Sequence, residues 1–178
     1  YKRAGLHVIA VSTGMKNAIL EEFPEFPGEN VKIIPNGTNF KPVIYKTDLK
    51  KKLNIEGKKV LICAGSICER KNQKCIVDTF PFLSKELREN VVVLFIGNDR
   101  LKGALCESIC NAGLEKKLIY VGAVSSEQMK EYYSIADGLI MPSKAEGLSI
   151  AALEMIAYGK PIIMFADSEC EEDLKDIE

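Results

Sequence analysis

From residue 59 onward, apolar runs of strand length alternate with helical patterns, and that alternation leaves the chain few architectures to choose from. The runs are 59–64 (KVLICA), 91–96 (VVVLFI), 118–121 (LIYV), 138–141 (GLIM) and 161–165 (PIIMF). They are apolar on both faces, which suits a parallel sheet covered by helices on both sides and not a half-exposed antiparallel one. Right-handed crossovers make such a sheet doubly wound, with ligands at the carboxyl ends of its strands. The fold class is therefore α/β. Intervening helices are expected at 72–87 with a kink at Pro81, at 101–112, at 126–136 with Ser126 as cap, and at 149–157.

Ahead of this alternation, 6–11 (LHVIAV) reads as a strand, 13–22 as a helix capped by Ser12 or Thr13, and 31–34 (VKII) as a second strand. Together they make one βαβ unit that ends in the turn Pro35-Asn36-Gly37. His7, the only histidine, falls in the first strand with no partner near it in sequence and reads as structural. Residues 1–39 are thus expected to close one domain, 40–58 to form a linker with a basic covering helix, and 59–178 to form a second domain. The chain begins at Tyr1 and ends in SECEEDLKDIE, and a sixth strand usual for larger sheets of this kind is not visible. It reads as a piece of a longer protein, its second domain lacking the last elements.

A formal net charge of -1, from 24 basic and 25 acidic residues, argues against binding to a phosphate backbone, so nucleic acid is not an expected partner. Six cysteines (Cys63, Cys68, Cys75, Cys106, Cys110 and Cys170) include no C-x-x-C pair and fall mostly in apolar patterns. Packed, reduced thiols of a cytoplasmic protein are expected. No apolar run approaches the roughly 20 residues that cross a bilayer, although the longer protein could still dock on the inner face of a membrane.

Chemistry concentrates in 141–161 (MPSKAEGLSIAALEMIAYGKP). Its helix is made of strong helix formers, closed by Gly159 as a left-handed cap and Pro161 as a stop. Glu154 is the anomaly, a carboxylate in a nearly apolar helix with no cation one turn away. Either a distant residue or a ligand satisfies it, unless it lies on a solvated edge. The loop after the first strand of the sheet, Gly65-Ser66-Ile67-Cys68-Glu69-Arg70-Lys71-Asn72, supplies a glycine and two cations at a helix entrance, a natural place for phosphate. Gly97 and Gly122 allow close backbone approach after the next two strands. Residues 142–147 lead to the N-terminus of the central helix, a second anion site facing the first.

SICERKNQ, VGAVSSEQMKEYYSIADGLIMPS and above all EGLSIAALEMIAYGKPII resemble the carboxy-terminal half of the family 4 glycosyltransferases (glycosyl transferases group 1), which have the GT-B fold. IIPNGTN at 33–39 resembles the segment that closes their amino-terminal, acceptor-binding domain. The resemblance implies retaining transfer of a sugar from a nucleotide-sugar donor, held by this half, to a carbohydrate or lipid-linked acceptor. It assigns Glu146 to the donor sugar, Glu154 to the ribose, and Lys71 with Arg70 to the diphosphate. Further donor contacts would come from Gly65, Ser66, Gly97, Asn98 and Val124, and from the backbone N–H groups of Gly147, Leu148 and Ser149. Ser66 stands where the family often has arginine, and Asn39 where it commonly has aspartate.

If 146–154 were all helical, the two glutamates would lie about 12 Å apart along the axis and roughly 80° around it. That exceeds the roughly 5 to 9.5 Å of a glycosidase acid/base pair and suits two ends of one ligand. No Asp-x-Asp occurs, so no metal or other cofactor is expected, with protein cations doing that work. The rival readings are a nucleotide-sugar epimerase of similar fold and a non-catalytic sugar-nucleotide-binding module. A dinucleotide-binding enzyme or a nucleotide triphosphatase would need G-x-G-x-x-G or G-x-x-x-x-G-K-[ST], and neither is present.

Overall fold

Residues 5–38 and 41–165 are described by a computed structural model; Asn39, Cys170 and the acidic run at 168–178 lie outside them. Strand β1 (Val8–Ala10), helix α1 (Thr13–Glu22) and strand β2 (Val31–Ile33) form the first unit, with β1 and β2 paired in parallel. Ser12 caps α1 by accepting the Met15 N–H at 3.0 Å. His7 precedes β1 and is exposed, so it lies outside the strand that the apolar pattern implied. Residues 41–48 carry no regular structure, and the basic stretch after them yields only the short helix α2 (Leu49–Lys52).

The second sheet contains β3 (Lys59–Ala64), β4 (Val91–Ile96), β5 (Leu118–Gly122), β6 (Gly138–Met141) and β7 (Ile162–Met164), all parallel, in the order β5-β4-β3-β6-β7. Its helices are α3 (Lys74–Thr79), α4 (Lys85–Asn90), α5 (Ala104–Asn111), α6 (Ser126–Ile135) and α7 (Ile150–Ala157). The chain steps outward from β3 through β4 to β5, then returns to the other side of β3 with β6. The crevice that this reversal opens, beyond the carboxyl ends of β3 and β6, is where an α/β sheet of this kind holds its ligand.

Strand β4 shows why the sheet needs two covers. Val92, Leu94 and Ile96 face one apolar cluster with Tyr133 of α6 and Met155 of α7. Val93 and Phe95 face another with Ile76 of α3 and Ile109 of α5. Leu94 and Phe95 are both fully buried, and each such side chain contributes about 1.5–3 kcal/mol through burial. The doubly wound arrangement is therefore a consequence of strands that have no polar face.

Helix ends depart from the sequence reading in three places. The helix expected over 72–87 is two, α3 and α4, separated by a 3-10 turn at Phe80–Phe82. Pro81 lacks the N–H that would continue α3, and Ser84 restarts the helix by accepting the Leu87 N–H at 3.3 Å. Helix α5 begins only after Gly103, which has φ +92. Helix α6 is capped by Ser125, not Ser126: Ser125 and Gln128 exchange side-chain-to-backbone bonds of 2.9 and 3.2 Å in a capping box. The thiols differ too. Cys63 is buried, but Cys106 and Cys110 are exposed, because α5 turns Leu105 and Ile109 inward and leaves the neighbouring positions to solvent.

Candidate functional site

The floor of the crevice is two glycines. Gly65 follows β3 with φ +131 and Gly97 follows β4 with φ +151, and a Cβ on Gly97 would lie 2.1 Å from the Gly65 carbonyl oxygen. No side chain fits there. The Gly65 N–H donates to Ile96 O at 2.8 Å and the Gly97 N–H to Gly122 O at 2.9 Å. Gly122 itself, at φ +90, has open space around its would-be Cβ, so its conformation and not a close approach requires glycine. The loop beyond Gly65 is tied down by its main chain: Ile67 N–H donates to Asn98 O at 2.8 Å. The buried Gln73 amide donates to Ser66 O at 3.0 Å and accepts the Cys68 N–H at 3.3 Å.

One end of the crevice is charged. Glu69–Lys71 form a 3-10 turn and Asn72 takes a left-handed conformation, φ 53, which throws Lys71 back over the floor. A Cβ on Gly65 would sit 3.2 Å from Lys71 Cε. Lys71 Nζ lies 2.7 Å and Arg70 Nη1 3.0 Å from Glu146 Oε2, and Arg70 also donates to Ala145 O at 2.7 Å. The side chains of Lys71 and Glu146 are 14% and 11% exposed, whereas Arg70 is 54% exposed. Two cations share a single, largely buried carboxylate, so deleting Lys71 or Glu146 outright would leave a buried charge unmatched. Lys144 N–H donates to Arg70 O at 2.9 Å and joins the two loops. Behind them, burial pushes the Cys63 thiol up to about 12 against the pull of the Lys71 charge. Helix α3 is only six residues long and starts at Lys74, so the loop presents the side chains of Arg70 and Lys71 and not the helix entrance the sequence implied.

At the other end the carboxylate has a neutral partner. Glu154 sits on α7, half-buried, and its Oε2 accepts the Tyr133 hydroxyl at 2.8 Å. A distant residue, not a cation, therefore partners the carboxylate that looked anomalous in sequence. Burial, and then the Glu154 charge, hold the Tyr133 hydroxyl well above the usual phenol range, so it remains a donor. Glu154, Tyr133, Gly65, Val124, Ser126 and Met129 line a cleft of about 230 Å³. Only 150–157 is helical, so the straight-helix spacing of the two glutamates does not apply: 146–149 is a loop that turns Glu146 toward Lys71.

A neighbouring cleft of about 350 Å³ lies between the first unit and this loop, with Val11 and Met15 on one wall and Arg70, Glu146, Gly147 and Leu148 on the other. A Cβ on Gly147 would come within 3.2 Å of Val11 Cγ2. Asn36 fastens the wall by donating its side-chain amide to Leu148 O at 2.8 Å. Among the described residues, no group of three or more His, Cys, Asp or Glu side chains could hold a metal ion, and no helix is long and apolar enough to cross a membrane.

A family model described as glycosyl transferases group 1 matches residues 45–177, a span that takes in both ends of the crevice. The chain belongs to that family. It is similar to the lipopolysaccharide 1,2-N-acetylglucosaminetransferase of Salmonella typhimurium, at 32% identity over 168 residues that cover 87% of this chain and 43% of the relative. Its fold matches that of WaaG, a glycosyltransferase involved in lipopolysaccharide biosynthesis, with TM-score 0.78 at 20% identity over 98% of this chain and 50% of that one. Anabaena HepE, solved in complex with UDP and glucose, matches with TM-score 0.77 at 20% identity over 93% of this chain and 46% of that one. The fold is thus that of the GT-B glycosyltransferases. The chain spans about two fifths of the length of the curated relatives it matches, at 41%, 37% and 43% for three of them.

Within this glycosyltransferase fold, the residues singled out by sequence divide. Glu146, Lys71 and Arg70 meet directly, and Glu154, Val124 and Gly65 share one cleft. Gly147 and Leu148 line the second cleft. Ser66, Gly97, Asn98 and Ser149 line neither. The first three hold the loops, and Ser149 is the N-cap residue of α7, without a side-chain capping bond. Tyr133, Gln73 and Asn36 were missed. Each acts through a contact made across the fold or along a folded loop, and only Asn36, within its Pro-Asn-Gly turn, carried any local signal.

Proposed function

We propose that this chain is the donor-binding half of a retaining glycosyltransferase, which moves a sugar from a nucleotide-sugar to a carbohydrate or lipid-linked acceptor. One observation carries the proposal: the Lys71–Glu146 pair and the Glu154 cleft adjoin over the side-chain-free floor at Gly65. A ligand with an anionic middle and neutral, hydroxyl-rich ends fits such a floor. UDP and glucose, the ligands named for HepE, are the two parts of such a molecule, and UDP-glucose is named for another of its structures.

In this reading the diphosphate takes over Lys71 and Arg70, and the N–H groups of Gly147, Leu148 and Ser149 add to them. Released from its cations, Glu146 accepts from hydroxyls of the donor sugar. Glu154 accepts from the ribose, and Val124 flanks the base. As the bond from the sugar to the diphosphate breaks, negative charge grows on the departing phosphate oxygen, where fixed cations and N–H groups stabilise it most. Those cations would replace a metal ion, so donor binding should survive EDTA. The acceptor would approach from the wall formed by Val11 and Met15.

Calorimetric titration with UDP-, GDP- and ADP-sugars tests the proposal. Weak binding of one of them, without turnover by this chain alone, is the expected result. Failure of all three to bind would refute donor binding, and turnover by the isolated chain would refute its dependence on an acceptor half.

A further inference from the structure

We infer that Tyr133 is a positioning residue for the ribose-binding carboxylate, its hydroxyl fixing Glu154 so that the second carboxylate oxygen is presented to the sugar diol. The inference rests on the assignment of Glu154 to ribose made above. Tyr133 belongs to α6 and Glu154 to α7, and the 2.8 Å bond between them reaches across 21 positions of sequence. Because the hydroxyl occupies Oε2, Oε1 is the oxygen left for a ligand donor.

The anchoring of the tyrosine makes it suited to this task. The residue is 1% exposed and packs in the apolar cluster with Ala152 and Met155 of α7. Its carbonyl accepts Lys160 Nζ at 2.6 Å, and the same ammonium closes the end of α6 at Ser134 O, 3.0 Å away. The Tyr158 ring lies 5.9 Å from its own. A residue held at ring and backbone from the tail of α7 can aim a hydroxyl with little freedom, whereas an unanchored glutamate must be ordered when ligand binds. That ordering, together with the hydrogen bond, is worth roughly tenfold in affinity.

The test compares calorimetric affinities for whichever of UDP, GDP and ADP binds best with those for the 2′-deoxy form of the same nucleotide. The wild-type chain should prefer the ribonucleotide by about tenfold. Tyr133→Phe keeps the buried ring and should cut the preference to about twofold by weakening the ribonucleotide alone, with a melting temperature lower by about 2–4 °C for the one lost hydrogen bond. In a Glu154→Ala background it should cost nothing further. A preference that survives Tyr133→Phe, an equal weakening of both nucleotides, or an undiminished effect beside Glu154→Ala would each overturn the inference and leave the ribose assignment standing. Absence of any preference in the wild type would overturn the ribose assignment, and the positioning role with it.

Discussion

The two ends of the crevice partner their carboxylates in opposite ways. Glu146 is held by two cations, one of them largely exposed, in a pair that another anion can compete for. Glu154 is held by a neutral hydroxyl buried in the core, which no anion competes for. Charge that can exchange partners suits a diphosphate, and a fixed neutral contact suits a sugar hydroxyl. The chemistry of each end thus follows from the neighbour the fold gives it more than from the shared glutamate.

The largest expected effect removes the comparison altogether. Gly97→Ala places a methyl group where the Gly65 carbonyl already sits, at a φ that L-residues avoid, so both ends should move together. Thermal melting should show a loss of about 3 kcal/mol, and unchanged stability would mean that the floor is not rigid. Lys71→Ala comes next and acts on one end only. Nucleoside diphosphate affinity should fall about 100-fold, and the salt dependence of binding should flatten. Equal salt dependence in the variant and the wild type would show that Lys71 does not meet the phosphates.

Smaller effects sharpen the contrast. Glu154→Ala should weaken nucleotide binding about tenfold at any salt concentration. Glu146→Ala should spare free nucleotide and weaken only the intact nucleotide-sugar, and the reverse pattern in calorimetry would interchange the two assignments. The smallest effect lies beneath the charged end. With its thiol pushed up to about 12, native Cys63 keeps a proton that the unfolded chain releases near pH 8.5, so this group costs stability as pH rises between those values. The melting temperature should therefore fall more steeply above pH 8.5 in the wild type than in Cys63→Ala. Parallel slopes would mean that water reaches the thiol.

Most of the sheet was legible because β3, β4 and β6 are apolar runs bounded by glycine, proline or polar residues. Helix ends were harder. The Ser125-x-x-Gln128 capping box was present in the sequence, but a second serine beside it offered an equally plausible start. At Pro81 the sequence alone implies a kink, since a serine three residues on suits a turn as readily as a new helix start. In the site, the Arg70-Lys71 and Glu146 groups stood out by charge alone. Tyr133 did not, since a tyrosine in a helix signals only burial, and its partner is decided by how α6 lies against β3 and α7 against β6. The cations' dependence on a left-handed Asn72 was hidden for a similar reason: asparagine tolerates that conformation without demanding it.

On the proposed function, opposite ends of one crevice grip opposite parts of one nucleotide-sugar. Calorimetric titration of the preferred nucleotide-sugar, at low and high salt, into the wild type, Lys71→Ala and Glu154→Ala tests it most directly. The account predicts that Lys71→Ala loses the salt-sensitive part of the binding free energy and Glu154→Ala the salt-insensitive part. Undiminished binding by both variants would contradict it.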